Sequence, residues 1–235
     1  MYYPPDDPYL NWRPPLPALS LTAGSTALLV IDMQYADASL DHGIFARKRQ
    51  LGLTAGLDYF AQALSIIVPN IRRLQQTCRA IAIEVMFSRI QAMTRDGRDR
   101  GRIHKDLNIH SPAASRDADI LDEIAPVGDE MVFSKTTGSV FNSSHIHHVL
   151  TSMGIRNLIM GGVMTSGCVE SAARDATDLG YGVIVVSDAC ASWTEELHRA
   201  SLRVMDGVFA RVKTTDEVVE AFHQEQHDSS TGLTR

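Results

Sequence analysis

Residues 157–179 read NLIMGGVMTSGCVESAARDATDL: an apolar run, a pair of glycines, a short turn and an amphipathic segment. The run 158–160 predicts a buried strand ending at Gly161 and Gly162. After the turn 163–167, Cys168 is predicted to open a helix over 168–179. Its inner face would carry Val169, Ala172, Ala173 and Ala176, with Gly180 as its cap. A strand that passes through a tight turn into a helix is the building unit of α/β sheets. It also sets a thiol at a helix N-terminus, where free N–H groups and the helix dipole favour a thiolate. A free cysteine is more often a small buried core residue; the turn around Cys168 is what argues for chemistry.

The same alternation recurs on either side. Residues 26–31, TALLVI, form a continuous apolar run ending at Asp32, the pattern of a strand buried on both faces. Further strands are expected over 79–87, 130–134 (followed by Lys135), 183–186 and 207–212. Helices are expected over 56–76, with a kink or break at Pro69, and over 142–153, 194–205 with Thr194 as N-cap, and 215–224. Residues 33–53 lack a clean period and read as a lid or binding loop containing Asp37, Asp41, His42 and the basic run Arg47-Lys48-Arg49. Residues 88–116, with Arg95, Arg98, Arg100 and Arg102, read as irregular and surface- or subunit-facing. The fold class is therefore α/β, a doubly wound, mostly parallel sheet with helices on both faces. It would comprise an extended Pro-rich arm over 1–25, one domain over 26–224 and a flexible tail over 225–235.

Composition narrows the function. With 22 basic and 28 acidic side chains the net charge is −6, which gives no footing for nucleic acid or an anionic membrane surface. No apolar run approaches the roughly 20 residues of a spanning helix, and 1–15, MYYPPDDPYLNWRPP, lacks the features of a signal peptide. Three cysteines without CxxC spacing point to a reducing compartment, read as the cytoplasm, and away from a disulfide framework or zinc site. The expected partners are a small-molecule substrate and further copies of this chain, as a dimer or tetramer.

In open α/β sheets, ligands sit beyond the carboxyl ends of the strands. Asp32, Lys135 and Cys168 all fall there. A carboxylate can take the proton of a thiol, and an ammonium can stabilise the resulting anion. Singly, Asp32 could equally cap a turn and Lys135 could be an ordinary surface lysine.

Three segments together, VIDMQ, VFSKTTGSVF and GGVMTSGCVESAARDATDLGY, resemble the isochorismatase-like cysteine hydrolases over about residues 26–222. That superfamily includes nicotinamidases, N-carbamoylsarcosine amidases, ureidoacrylate amidohydrolases and biuret or triuret hydrolases. The resemblance implies a six-stranded sheet, a catalytic Asp32, Lys135 and Cys168, and a cis peptide at Val163–Met164. It further implies an oxyanion hole formed by the N–H groups of Met164 and Cys168. The metal-binding members carry an Asp-x-His cluster soon after the second strand, where this chain reads FSRIQAMTRDGRDR, so neither a metal nor another cofactor is expected. His145, His147 and His148 match a metal cluster only in number.

The implied activity is hydrolysis of a small linear amide or ureido compound, of triuret or biuret type, with ammonia released through a thioester. The alternatives are a ureidoacrylate or N-carbamoyl amino acid amidohydrolase, anchoring a carboxylate through Arg89 or Arg47–Arg49, and a non-catalytic scaffold of the same fold. Tyr35 and Phe141 are the expected pocket walls and Asn142 and Arg89 the expected polar contacts, with Met205 and Asp206 further candidates.

Overall fold

The computed structural model describes residues 14–230. Six parallel strands stand in the order β3-β2-β1-β4-β5-β6: β1 (Thr26–Ile31), β2 (Glu84–Ile90), β3 (Val132–Lys135), β4 (Asn157–Val163), β5 (Gly182–Ala191) and β6 (Arg211–Lys213). All six residues of β1 are buried, because their side chains alternate between two apolar layers. Leu28 and Val30 face α3 (Leu57–Ala80) and α8 (Thr215–Ser230). Ala27, Leu29 and Ile31 face α5 (Ile146–Ser152), α6 (Glu170–Asp178) and α7 (Glu195–Met205). The result is a three-layer α/β fold. Chain order reverses between β1 and β4, so the crevice at their carboxyl ends is the switch point of the sheet.

Several elements differ from the sequence expectation. Helix α3 runs unbroken through Pro69. The proline is solvent-exposed, while Phe60, Ile67, Ile71, Leu74 and Cys78 on the opposite face are buried against the sheet. That packing outweighs the roughly 3 kcal/mol a mid-helix proline costs. The helix continues to Ala80, where Arg79 Nε donates to Glu130 Oε1 at 2.7 Å, and a turn through Ala82 (φ 56°) delays β2 to Glu84. The expected loop 33–53 contains two short helices, α1 (Tyr35–Ala38) and α2 (Gly43–Gln50), and α4 (Arg102–Asp106) interrupts the irregular 88–116 region. Arg100 in that region turns inward, donating to the carbonyls of Gly97 and Ile109.

Helix α5 begins only at Ile146, because the serines before it bond elsewhere: Ser143 Oγ accepts from Thr136 N and Ser144 Oγ donates to Val140 O. Strands β4 and β5 are longer than expected and β6 shorter. Helix α8 continues to Ser230, so the expected flexible tail is helical over 225–230; residues 231–235 lie outside the described part. The described part of the Pro-rich arm lies on the domain. Leu21 is buried, and Pro17 and Ser20 offer carbonyls to Arg211 and Asn157. Residues 1–13 are likewise outside the described part. No described helix is long and apolar enough to cross a membrane.

Candidate active site

The crevice is built from the adjacent ends of β1 and β4. Gly162 in β4 has φ 125°, and a Cβ placed there would stand 2.0 Å from the carbonyl oxygen of Ile31. Only glycine permits that backbone approach, which brings the turn after β4 against the turn after β1. Beyond it the Val163–Met164 peptide is cis, as the resemblance implies. Residues Thr165–Val169 then form a single π-helical turn, and α6 starts only at Glu170. Cys168 therefore sits inside a wide turn rather than opening an α-helix.

The turn is clamped from several sides. Gly167 N and Val169 N donate to Met164 O at 2.9 and 3.2 Å, and Ser166 and Ser192 hydroxyls lie 2.6 Å apart. Thr165 Oγ1 pairs with His198 Nδ1 at 2.8 Å, and Ser201 Oγ donates to Thr165 O at 3.0 Å. These contacts tie the turn to the residue just after β5 and to α7.

Into this crevice project the three residues singled out at the strand ends. Lys135 Nζ lies 2.8 Å from Asp32 Oδ2 and 3.3 Å from Cys168 Sγ, and donates to the carbonyl oxygens of Thr137 and Gly138, both at 2.9 Å. The Lys135 and Asp32 side chains are 0% and 1% exposed. Asp32 adopts a left-handed φ of 53°, its N–H donates to Ser88 O, and its Oδ1 accepts from Ser88 Oγ at 3.0 Å. Non-glycine residues are held in that conformation only where surrounding bonds fix them. Burial alone would drive the proton off Lys135, but Asp32 and Cys168 outweigh it and hold the ammonium above the ordinary lysine range.

Burial, reinforced by the Asp32 carboxylate, pushes the Cys168 thiol above the ordinary cysteine range, while Lys135 pulls it down. Cys168 nonetheless retains some solvent access, whereas Cys78 and Cys190 are buried. The arrangement thus holds a sulfur, a buried carboxylate that can accept its proton, and an ammonium touching both.

The residues expected to contact substrate each have protein partners. The Tyr35 hydroxyl accepts from Arg116 at 2.7 Å, and the Arg116 guanidinium stacks 4.0 Å from its ring. Arg89 is spent on Ser134 Oγ, Ala118 O and Gln91 Oε1. Phe141 packs on Tyr181 with ring centroids 6.0 Å apart, and Asn142 Nδ2 donates to Asp175 at 2.9 Å, tying its loop to α6. Met205 is fully buried in the core, and Asp206 accepts from Val212 N. Of the basic run, Arg49 pairs with Asp41 and Lys48 lies over the Trp193 ring.

Two residues come to the crevice that the sequence did not single out for it. On α1, Asp37 stands two residues and so about 200° from Tyr35, which packs against the core on another side of the short helix. Its Oδ2 is buried without a hydrogen-bond partner, and burial together with Asp32 pushes its carboxyl up to about 7. His104 on α4 is 2% exposed and its Nδ1 is likewise buried without a partner. Burial, and then the Lys135 charge, push it down to about 4, leaving a neutral ring. Helix α4 is pinned beside Lys135 by Gly101 N donating to Thr136 O at 2.8 Å.

The loops carrying these residues meet at Gln34, which is fully buried. Its Nε2 donates to Ile90 O, Ser111 Oγ and Asp117 O, and its Oε1 accepts from Ile90 N at 2.5 Å. Among the described residues no three His, Cys, Asp or Glu side chains converge as a metal site requires.

Comparison with known proteins places this geometry in context. The model of the isochorismatase domain matches residues 26–217. The chain is 28% identical to the ureidoacrylate amidohydrolase RutB of Acinetobacter baylyi over 91% of its own length and 90% of the relative's. It is 28% identical to the N-carbamoylsarcosine amidase of an Arthrobacter species, covering 70% of this chain and 64% of that one. Among solved structures, a cysteine hydrolase from Pseudomonas syringae pv. phaseolicola superposes with a TM-score of 0.76 at 24% identity, over 90% of this chain and 99% of the other.

Proposed function

The chain belongs to the isochorismatase family and is a hydrolase of non-peptide C–N bonds, and from that premise we propose that Cys168 is the nucleophile of a ureido amidohydrolase. One observation carries the reading: a single ammonium, Lys135, touches both a buried carboxylate and the sulfur of Cys168, the one cysteine residue that is not fully buried.

In the proposed cycle the Cys168 thiol gives its proton to Asp32 as the sulfur attacks the substrate carbonyl. The N–H groups of Met164 and Cys168 receive the oxyanion, a contribution of about 3–4 kcal/mol to the barrier. Asp32 returns the proton to the departing nitrogen, the C–N bond breaks and ammonia leaves. The acyl group remains on sulfur as a thioester. Water, deprotonated by Asp32, then attacks that carbonyl. The C–S bond breaks, sulfur regains its proton, and the product leaves as a carboxylic or carbamic acid. Lys135 keeps its charge throughout and offsets whichever neighbour is anionic.

For the substrate we favour an uncharged linear ureide of triuret or biuret type. Two observations support it: Arg89 is committed to three protein acceptors, and Lys135 to Asp32, Cys168 and two carbonyls, so neither is available to a substrate carboxylate. The second reading, a ureidoacrylate or N-carbamoyl amino acid substrate, is favoured by what the relatives named above act on. Ammonia release from biuret, triuret, ureidoacrylate and N-carbamoyl amino acids separates the two, and the fastest substrate should be uncharged. Cys168→Ser should lower turnover at least 1000-fold; near-normal turnover in that variant would remove the nucleophile from the account.

A further inference from the structure

Two polar atoms on segments flanking the crevice, Asp37 Oδ2 and His104 Nδ1, are buried with no protein partner. Such atoms cost free energy wherever they occur, and natural proteins leave few of them. They come from separate segments, α1 after β1 and α4 after β2, yet both lie within electrostatic reach of Asp32 and Lys135. Neither takes part in the proposed proton transfers. Both are held firmly: α1 by Tyr35 N donating to Asp119 O at 3.0 Å, α4 by its Gly101–Thr136 bond.

We propose that Asp37 is the specificity-determining residue of this site, accepting a hydrogen bond from an N–H group of the substrate remote from the scissile carbonyl, with His104 pairing to the neighbouring ureido group. The inference rests on the ureido amidohydrolase reading and deepens it. It assigns the substrate class as short, nitrogen-rich compounds with N–H donors at both ends and no carboxylate.

The chemistry of the wall agrees. An Asp oxygen accepts whether or not the group is ionised, and near neutral pH Asp37 is divided between the two forms. A neutral imidazole can meet either an N–H or a carbonyl, depending on its tautomer. A substrate carboxylate brought beside Asp37 and Asp32 would instead meet like charge in a desolvated site.

The test uses full-length Asp37→Asn, Asp37→Leu and His104→Gln, each in the active chain and on a Cys168→Ser background. In the active chain, Asp37→Leu should raise KM for biuret or triuret about tenfold, the worth of one buried hydrogen bond, with kcat changed less than threefold. Asp37→Asn keeps an acceptor and should recover most of that loss, while lowering KM for ureidoacrylate by relieving repulsion. His104→Gln should raise KM for the uncharged substrates alone. On the Cys168→Ser background, calorimetric titration with biuret reads binding without turnover, and Asp37→Leu should weaken it about tenfold.

Unchanged KM and unchanged biuret affinity in correctly folded Asp37→Leu overturn the proposal while leaving the cysteine mechanism standing. Absence of biuret or triuret binding to Cys168→Ser overturns it as well. Retained turnover by Cys168→Ser would instead strike the underlying reading, and the affinity change on that background would still judge Asp37.

Discussion

Replacing Lys135 by Met removes the ammonium paired with Asp32 in a place where both side chains are at most 1% exposed. Breaking a buried ion pair from one side leaves an uncompensated charge and costs about 3–5 kcal/mol. The same holds for Asp32→Asn, which strands the ammonium. If the two acted independently, the double variant would lose about 6–10 kcal/mol. It should lose far less, below about 4 kcal/mol, because no naked charge remains. The residual cost comes from the carbonyls of Thr137 and Gly138, which lose their donor. The coupling energy should thus exceed about 2 kcal/mol. Urea unfolding followed by circular dichroism, at one protein concentration for all four chains, reads it directly. In a chain of this length each kcal/mol moves Tm by roughly 2–4 °C, so each single variant should melt at least about 6 °C lower. Additive losses, with the double variant as unstable as the sum of the singles, would refute the claim that this pair is held by mutual neutralisation in a dry site.

Iodoacetamide should label one cysteine per native chain, at Cys168, because Cys78 and Cys190 are buried with thiols pushed up to about 12. Since Cys168 is also shifted upward, its labelling rate should still be climbing at pH 9, and substrate should slow it; a plateau below pH 7 would mean a resting thiolate. Asp37 binds its proton more tightly in the folded chain than in the unfolded one, with a value near 7 against 3.8, so its contribution to stability falls as pH rises from about 4 to about 7. Asp37→Asn should therefore melt higher than the parent at pH 8 and similarly at pH 4, the gain bounded at the order of 4 kcal/mol; equal melting at both pH values would contradict it. Gly162→Ala should fail to yield folded chain or should lower Tm by more than about 10 °C, since its methyl would overlap the Ile31 carbonyl and φ 125° is closed to alanine. A normal melting curve would show that β1 and β4 can separate at no cost.

Much of the molecule was legible in the sequence because a parallel sheet leaves a strong local signature. TALLVI ends at Asp32 in both readings, and strand ends are where such sheets put chemistry. Lys135 and Cys168 follow from the same rule, and only the local form of the turn, π rather than α, differed. What the sequence hid depends on contacts far along the chain. How Asp37 is presented depends on a four-residue helix tied down by Asp119, a residue more than eighty positions away. Arg89 looks like an anion anchor until Ser134, Ala118 and Gln91 close around it. The run 79–83 has strand propensity, but one face of α3 needed Cys78 against the core, and tertiary packing prevailed. The inward role of His104 gave no periodic signal, since a five-residue helix is too short to show one.

The amide of Gln34 has a consequence for how this protein can change. One side chain fastens the end of β2, the loop at Ser111 and the backbone at Asp117, so segments encoded far apart are hung from a common peg. A substitution in any one of them tugs on the others. New preferences are then more readily reached by exchanging the tips of these loops than by transplanting a whole loop, unless the donor segment brings a matching carbonyl for that glutamine.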